Sequence, residues 1–384
     1  MNLFTESGGR ALRACGFLVA ASMFAGCAQV KENLETARET VFPASSVEFL
    51  ALEPNAPRPA PAADAKPRDK DKAAKVSPDL YCSIPQEEFE YAELIERRFG
   101  AEAQIRLTRL MATDFKRSDL TPQEKEMLDV LARETLWIPA GLESLLGELL
   151  FRQDREKLKT VPKEGPRGKY WMFSEELITQ LLNVSPKTPF DTRLAILQSG
   201  NPRALAGGMI FIDQETVRTA YDGKTDAMRS MLTFVYAHEL AHIFKRHKAK
   251  QMQRTLIETD DGLKIMRELM TGLDPSGEMS PVAWISGVFE KMTTARRVVE
   301  LLASRKAEFS RAQEHEADSC ATILMLTAGL GDPLAGFKTY AANQPKSDNP
   351  DAETPLSPHA THPPHADRAK VITQAKAKTG SRQK

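Results

Sequence analysis

From Asp226 to Lys250 the chain runs without a proline or a glycine. Met231, Leu232, Phe234, Val235, Leu240, Ile243 and Phe244 recur through it at helical spacing, so the pattern predicts one helix across the whole run. Inside it stands His238-Glu239-Leu240-Ala241-His242. Residues four apart share a helix face, so the two imidazoles converge. Such a pair is half of a Zn²⁺ site. Glu239, next to the first histidine, is placed to exchange a proton with a water activated by the ion. The plainer alternative is a surface helix that carries two histidines.

A catalytic zinc takes three protein ligands and keeps one position open. The candidate third ligand is Glu314, in Arg311-Ala312-Gln313-Glu314-His315-Glu316-Ala317-Asp318. On a helix Glu314 and Asp318 lie on one face. Glu314 then binds the metal, and Asp318 accepts the N–H of a ligand histidine and fixes its tautomer. Glu316, pointing elsewhere at 100° per residue, is the competing ligand. All seven histidines fall from residue 238 onward, which marks a metal-bearing C-terminal part. His315 reads as solvated or structural, and His247, His359 and His365 need no function.

Around this site the pattern is mixed. Arg193–Leu197 is a strand candidate, and Gly207-Gly208 followed by Met209–Ile212 reads as a turn into another. That strand is either a sheet edge that holds an extended peptide or an ordinary interior strand. Residues 80–165 are helical in pattern. Thr121-Pro122-Gln123-Glu124 forms a capping box, and a helix over 141–156 carries Leu142, Leu145, Leu146, Leu149 and Leu150. No chemistry is visible there. Lys159 to Gly168, rich in Pro, Gly and Lys, looks like a boundary before a domain spanning 166–384. Residues 251–310, Met-rich and helical, separate the second ligand from the third and so can shape the cleft.

Residues 1–27 read as a targeting segment. Arg10 and Arg13 precede a short apolar run, and Phe24-Ala25-Gly26-Cys27 matches a bacterial lipoprotein cleavage site with Cys27 lipidated. Cleavage near Ala28 as an ordinary secreted protein is the alternative. Residues 28–79 read as a disordered linker dominated by Pro, Ala and charge. Cys82 and Cys320 remain; in an oxidising compartment they pair, or Cys320 is a buried helix thiol. The formal net charge is +0, and no basic-aromatic interleaving points to nucleic acid. The basic tail Arg368 to Lys384 reads as a solvated end.

Taken together, the order GG-strand, HExxH, E-x-E-A-D (Glu314 to Asp318) and H-P-P-x-x-x-R (His362 to Arg368) resembles the HtpX and CAAX prenyl endopeptidase family of zinc metallopeptidases, the gluzincins. Within it the chain is most similar to the periplasmic lipoprotein branch of BepA and LoiP type. The match runs from about Pro186 to Val371 and includes Arg246 and His247. Ala369 departs from the aliphatic residue usual there, and residues 80–158 form a larger helical block than the resemblance leads one to expect. The resemblance implies an α+β, mostly helical zincin-like domain with a small sheet. It implies one Zn²⁺ held by His238, His242 and Glu314, Glu239 as the acid/base, Asp318 behind the ligands, and a role near the cleft for His362 and Arg368; either is a candidate oxyanion donor, and His362 is alternatively a switch on the open zinc position. The implied function is an endopeptidase on the periplasmic side of the outer membrane that degrades misfolded or stalled envelope proteins. The alternative is a chaperone-like assembly factor whose protease site is largely silent.

Overall fold

The computed structural model describes residues 50–51, 82, 91–113, 115–138, 140–154, 159–271, 310–343 and 363–381. The targeting segment with Cys27, nearly all of the linker, and His362 lie outside them, as does most of the segment between the second and third ligand positions. In chain order the elements are β1 (Leu50–Ala51), α1 (Tyr91–Phe99), α2 (Ala101–Ala112), α3 (Pro122–Glu134), α4 (Ala140–Asp154), α5 (Gly168–Leu182), β2 (Arg193–Leu197), β3 (Arg203–Leu205) and β4 (Met209–Asp213). There follow α6 (Gln214–Gly223), α7 (Asp226–Phe244), α8 (His247–Ile257), α9 (Asp260–Thr271), α10 (Arg311–Ala328), α11 (Pro333–Asn343) and α12 (His365–Ser381). The expected class, mostly helical with a small sheet, is what the chain adopts. Among the described residues no helix is long and apolar enough to cross a membrane.

The sheet has the order β1-β2-β4-β3. β2 and β4 are parallel, with Leu194 opposite Ile210 and Ile196 opposite Ile212. β3 returns antiparallel along β4. Strand side chains alternate between faces, and here both faces are covered. Leu194, Ile196, Ile210 and Ile212 join the main core around α7, whereas Ala195, Leu197, Met209 and Phe211 pack on Phe151 of α4. The expected strand after the glycines is therefore the interior strand β4. The edge next to it is β3, three residues that precede the glycine turn, and β1 forms the opposite edge.

Gly207 and Gly208 have φ of 71° and 83°, a region that L side chains rarely adopt. A Cβ on Gly207 would sit 2.7 Å from Ser144 Cα, and one on Gly208 would sit 2.8 Å from Phe190 Cβ. The turn is thus pressed between α4 and the segment leading into β2.

The N-terminal helices share a core with the later ones. Leu128, Leu131, Trp137 and Ile138 cluster with Met252, Leu256 and Met266 from α8 and α9. Gln253 of α8 is fully buried and clamps the loop after α3: its Oε1 accepts from the backbone N–H of Trp137 at 2.9 Å and Ile138 at 3.2 Å, and its Nε2 donates to Thr135 O at 2.9 Å. The capping box of α3 forms as the sequence predicts, with Thr121 Oγ1 accepting from Glu124 N and Thr121 N donating to Glu124 Oε2. A Cys82–Cys320 disulfide, with Cα atoms 5.1 Å apart, ties the start of the helical region to α10. Of the two fates left open for these thiols, pairing is the one found.

Candidate metal centre

Helix α7 is buried from Ser230 to Phe244, flanked by α10 and α11. Burial all round explains why its apolar residues do not form a single stripe. Thr225 caps its start, accepting from Met228 N at 3.2 Å. Helix α10 opens with a capping box in which Ser310 Oγ accepts from Gln313 N and Ser310 N donates to Gln313 Oε1. Glu314 follows directly, in the first turn and fully buried.

These two helices bring His238, His242 and Glu314 together. The two histidine Nε2 atoms are 3.1 Å apart. Glu314 Oε2 lies 3.4 Å from His238 Nε2, and Glu314 Oε1 lies 3.5 Å from His242 Nε2. Ligand atoms about 2.0–2.1 Å from a tetrahedral ion stand about 3.3 Å from one another, so the spacing of this trio matches the edges of such a tetrahedron. Two imidazole nitrogens and a carboxylate are also the donor chemistry that zinc takes. The residues present fit a metal ion. Glu239 is buried next to His238 on the same helix.

Behind the first ring, Asp318 Oδ1 stands 3.0 Å from His238 Nδ1. Arg368 of α12 grips the same carboxylate from two points, with Nε donating to Oδ2 at 2.8 Å and Nη2 to Oδ1 at 2.6 Å. Its guanidinium also lies 5.1 Å over the Phe337 ring of α11. A carboxylate only accepts, so the proton at this contact is on His238 Nδ1, and Nε2 is the atom that faces His242 and Glu314. Burial on its own would lower the His238 pKa, but hydrogen bonds to Asp318 and Glu314 outweigh it and raise the value to about 9. Burial likewise opposes ionisation of Asp318, and the paired Arg368 holds its pKa below the usual carboxylate value.

Residues 175–376, more than half of the chain, match Peptidase family M48. The chain belongs to that family. No curated protein matches it significantly. M48 peptidases are metal-dependent, and the match covers all of α7, α10 and the partners just described.

In this M48 peptidase the predicted helix over 226–250 is two helices. α7 stops at Phe244, and α8 starts at His247 after Arg246, which has a left-handed φ of 48°. No proline or glycine marks the break. The cause is tertiary: Arg246, 1% exposed, donates through Nε to Glu143 Oε2 at 2.8 Å and through Nη2 to Ile138 O at 2.6 Å. The turn swings His247 back against His242, with the two Nδ1 atoms 2.8 Å apart. His247 Nε2 in turn lies 3.1 Å from Glu316 Oε2, and Lys245 Nζ lies 3.1 Å from Glu316 Oε1. Burial opposes the charge on Glu316, but His247 and Lys245 prevail and hold its pKa at about 2. Burial pushes His242 and His247 below the usual histidine value.

Of the expected residues, the structure gathers His238, Glu239, His242, Glu314, Asp318 and Arg368. Glu316, the competing ligand, lies with His247 and Lys245 instead of with the trio. His247, to which the sequence assigns no role, touches a ring of the trio. His365 begins α12 exposed, its ring edge-on to Phe337.

Proposed function

We propose that this M48 peptidase is a zinc-dependent endopeptidase that hydrolyses misfolded or stalled proteins of the bacterial envelope. In this reading a lipid on Cys27 anchors it to the periplasmic side of the outer membrane, and it belongs with the HtpX-like, BepA and LoiP type lipoproteins. The observation that carries the chemistry is the convergence of His238, His242 and Glu314 beside a buried glutamate. The Cys82–Cys320 disulfide supports an oxidising compartment.

When bound, zinc supplies Lewis-acid polarisation of a carbonyl and of water. Glu239 takes the proton of the attacking water and delivers it to the leaving amine. Asp318 and Arg368 hold His238 in its orientation, so the ligand arrives with its tautomer set. β3, an edge strand of the sheet, is where an extended substrate can add by main-chain hydrogen bonds. His362 is the candidate for a further oxyanion donor or, alternatively, a switch on the open metal position.

The test is casein cleavage by the purified wild type and by Glu239→Gln, with zinc content measured on both. The wild type should cleave, lose activity to a chelator and regain it with zinc. Glu239→Gln should keep its zinc and lose about 10²–10⁴-fold in rate. A zinc-loaded wild type that cleaves nothing, or a variant as active as wild type, contradicts the proposal.

A further inference from the structure

We infer that His247 is a positioning residue for the second metal ligand. Together with Glu316 it holds His242 in the one tautomer that presents a bare Nε2 to a metal. The inference rests on reading His238, His242 and Glu314 as a metal site, and adds a second arm to it.

The argument is a chain of donors and acceptors across two rings. Glu316 Oε2 is 3.1 Å from His247 Nε2. An ionised carboxylate accepts and cannot donate, so the proton at that contact belongs to His247 Nε2. A neutral imidazole carries one N–H, which leaves His247 Nδ1 as an acceptor. That atom lies 2.8 Å from His242 Nδ1, which must therefore supply the proton. His242 then has no proton on Nε2, the atom 3.1 Å from His238 Nε2 and 3.5 Å from Glu314 Oε1. The opposite assignment sets a proton on His242 Nε2 and turns a ligand into a donor aimed at the metal.

The terminal acceptor is itself fixed. Lys245 Nζ holds the other oxygen of Glu316 at 3.1 Å. The His247 ring is fully buried, and its backbone carbonyl accepts from Gln313 Nε2 at 3.3 Å, beside the cap of α10. The carboxylates of Glu314, Glu316 and Asp318 thus have three separate tasks. Glu314 faces the metal position, Asp318 orients His238 directly, and Glu316 orients His242 through His247. Groups behind metal-binding histidines set tautomer and ring angle, and their loss typically costs 10–100-fold in metal affinity.

The experiment measures Zn²⁺ affinity of the full chain by competition with a chromophoric chelator. His247→Leu removes the acceptor and should weaken affinity by about 10–100-fold. His247→Asn places a side-chain oxygen near the former Nδ1 position and should restore most of that loss. Glu316→Ala, at a side chain 40% exposed and so tolerant of change, should weaken affinity in the same direction as His247→Leu. The unfolding midpoint of each metal-free variant, measured alongside, separates a tautomer effect from a general loss of fold. Equal loss in the Leu and Asn variants, or His247→Leu and Glu316→Ala both within about twofold of wild type, overturns the inference. If His247→Leu does not fold, Glu316→Ala decides. Failure of the wild type to take up zinc instead removes the metal reading beneath it.

Discussion

The Arg246–Glu143 pair joins the N-terminal helices to the end of the metal helix, and breaking it offers a quantitative test. The two side chains are 1% and 3% exposed. Glu143→Ala leaves the guanidinium buried without its counter-charge, which costs about 3–5 kcal/mol in comparable sites. The lower end applies here, because Arg246 keeps Ile138 O and lies 5.7 Å over the Phe190 ring. With a urea slope near 3 kcal/mol per molar, a loss of about 3 kcal/mol moves the unfolding midpoint down by about 1 M. Tryptophan fluorescence in a urea titration reads this directly. The double variant Glu143→Leu with Arg246→Met strands no charge and should recover a large part of the loss. Zinc affinity should fall in Glu143→Ala as well, since Arg246 sets the turn that aims His247. A midpoint shift under about 0.3 M, or a double variant worse than the single, refutes the argument.

Gly208→Ala should destabilise by more than about 1 kcal/mol, because φ is 83° and the added Cβ meets Phe190 Cβ at 2.8 Å; urea titration checks it. Cys82→Ser, or reduction of the wild type, should lower stability by about 2–4 kcal/mol by releasing a cross-link across 238 residues, seen as a lower melting temperature. Asp332 caps α11 and pairs with Lys376 of α12 at 2.6 Å. Burial opposes its charge, yet these partners hold its pKa below the usual value. A depressed carboxylate contributes above its unfolded pKa and loses that contribution as pH falls through its folded one. Both groups are largely exposed, so the gain is under about 1 kcal/mol. Asp332→Asn should therefore melt below wild type near neutral pH, and the gap should close below the usual Asp range.

Much of the candidate metal centre is legible in the sequence because each decisive pair lies within one helix. His238 with His242, and Glu314 with Asp318, are four apart, and helical geometry alone puts each pair on one face. The joining of the two pairs is tertiary, and motif spacing only suggests it. His247 was illegible for a definite reason. On an unbroken helix, five residues from His242, it would point some 140° away. The break that turns it inward is set by Glu143 and Ile138, about a hundred residues upstream, with no proline or glycine to announce it. Glu316 points away from the trio, as the helical spacing predicts, but its actual partners His247 and Lys245 come from beyond its own helix and are not legible in the spacing. The glycine turn was readable, but which strand forms the edge was not: β4 is covered on both sides only once β3 folds back on it. The cysteine pairing stayed open because sequence carries no through-space distance, and the packing of Cys82 on α10 decides it.

X-ray absorption at the zinc edge of the purified, zinc-loaded protein tests the central claim most directly. The account predicts one zinc per chain, a first shell of nitrogen and oxygen at about 2.0–2.1 Å, and outer-shell scattering from two imidazoles. Glu314→Ala should reduce occupancy without altering that outer-shell pattern. A sulfur shell near 2.3 Å, a single imidazole, or no zinc at all would contradict it.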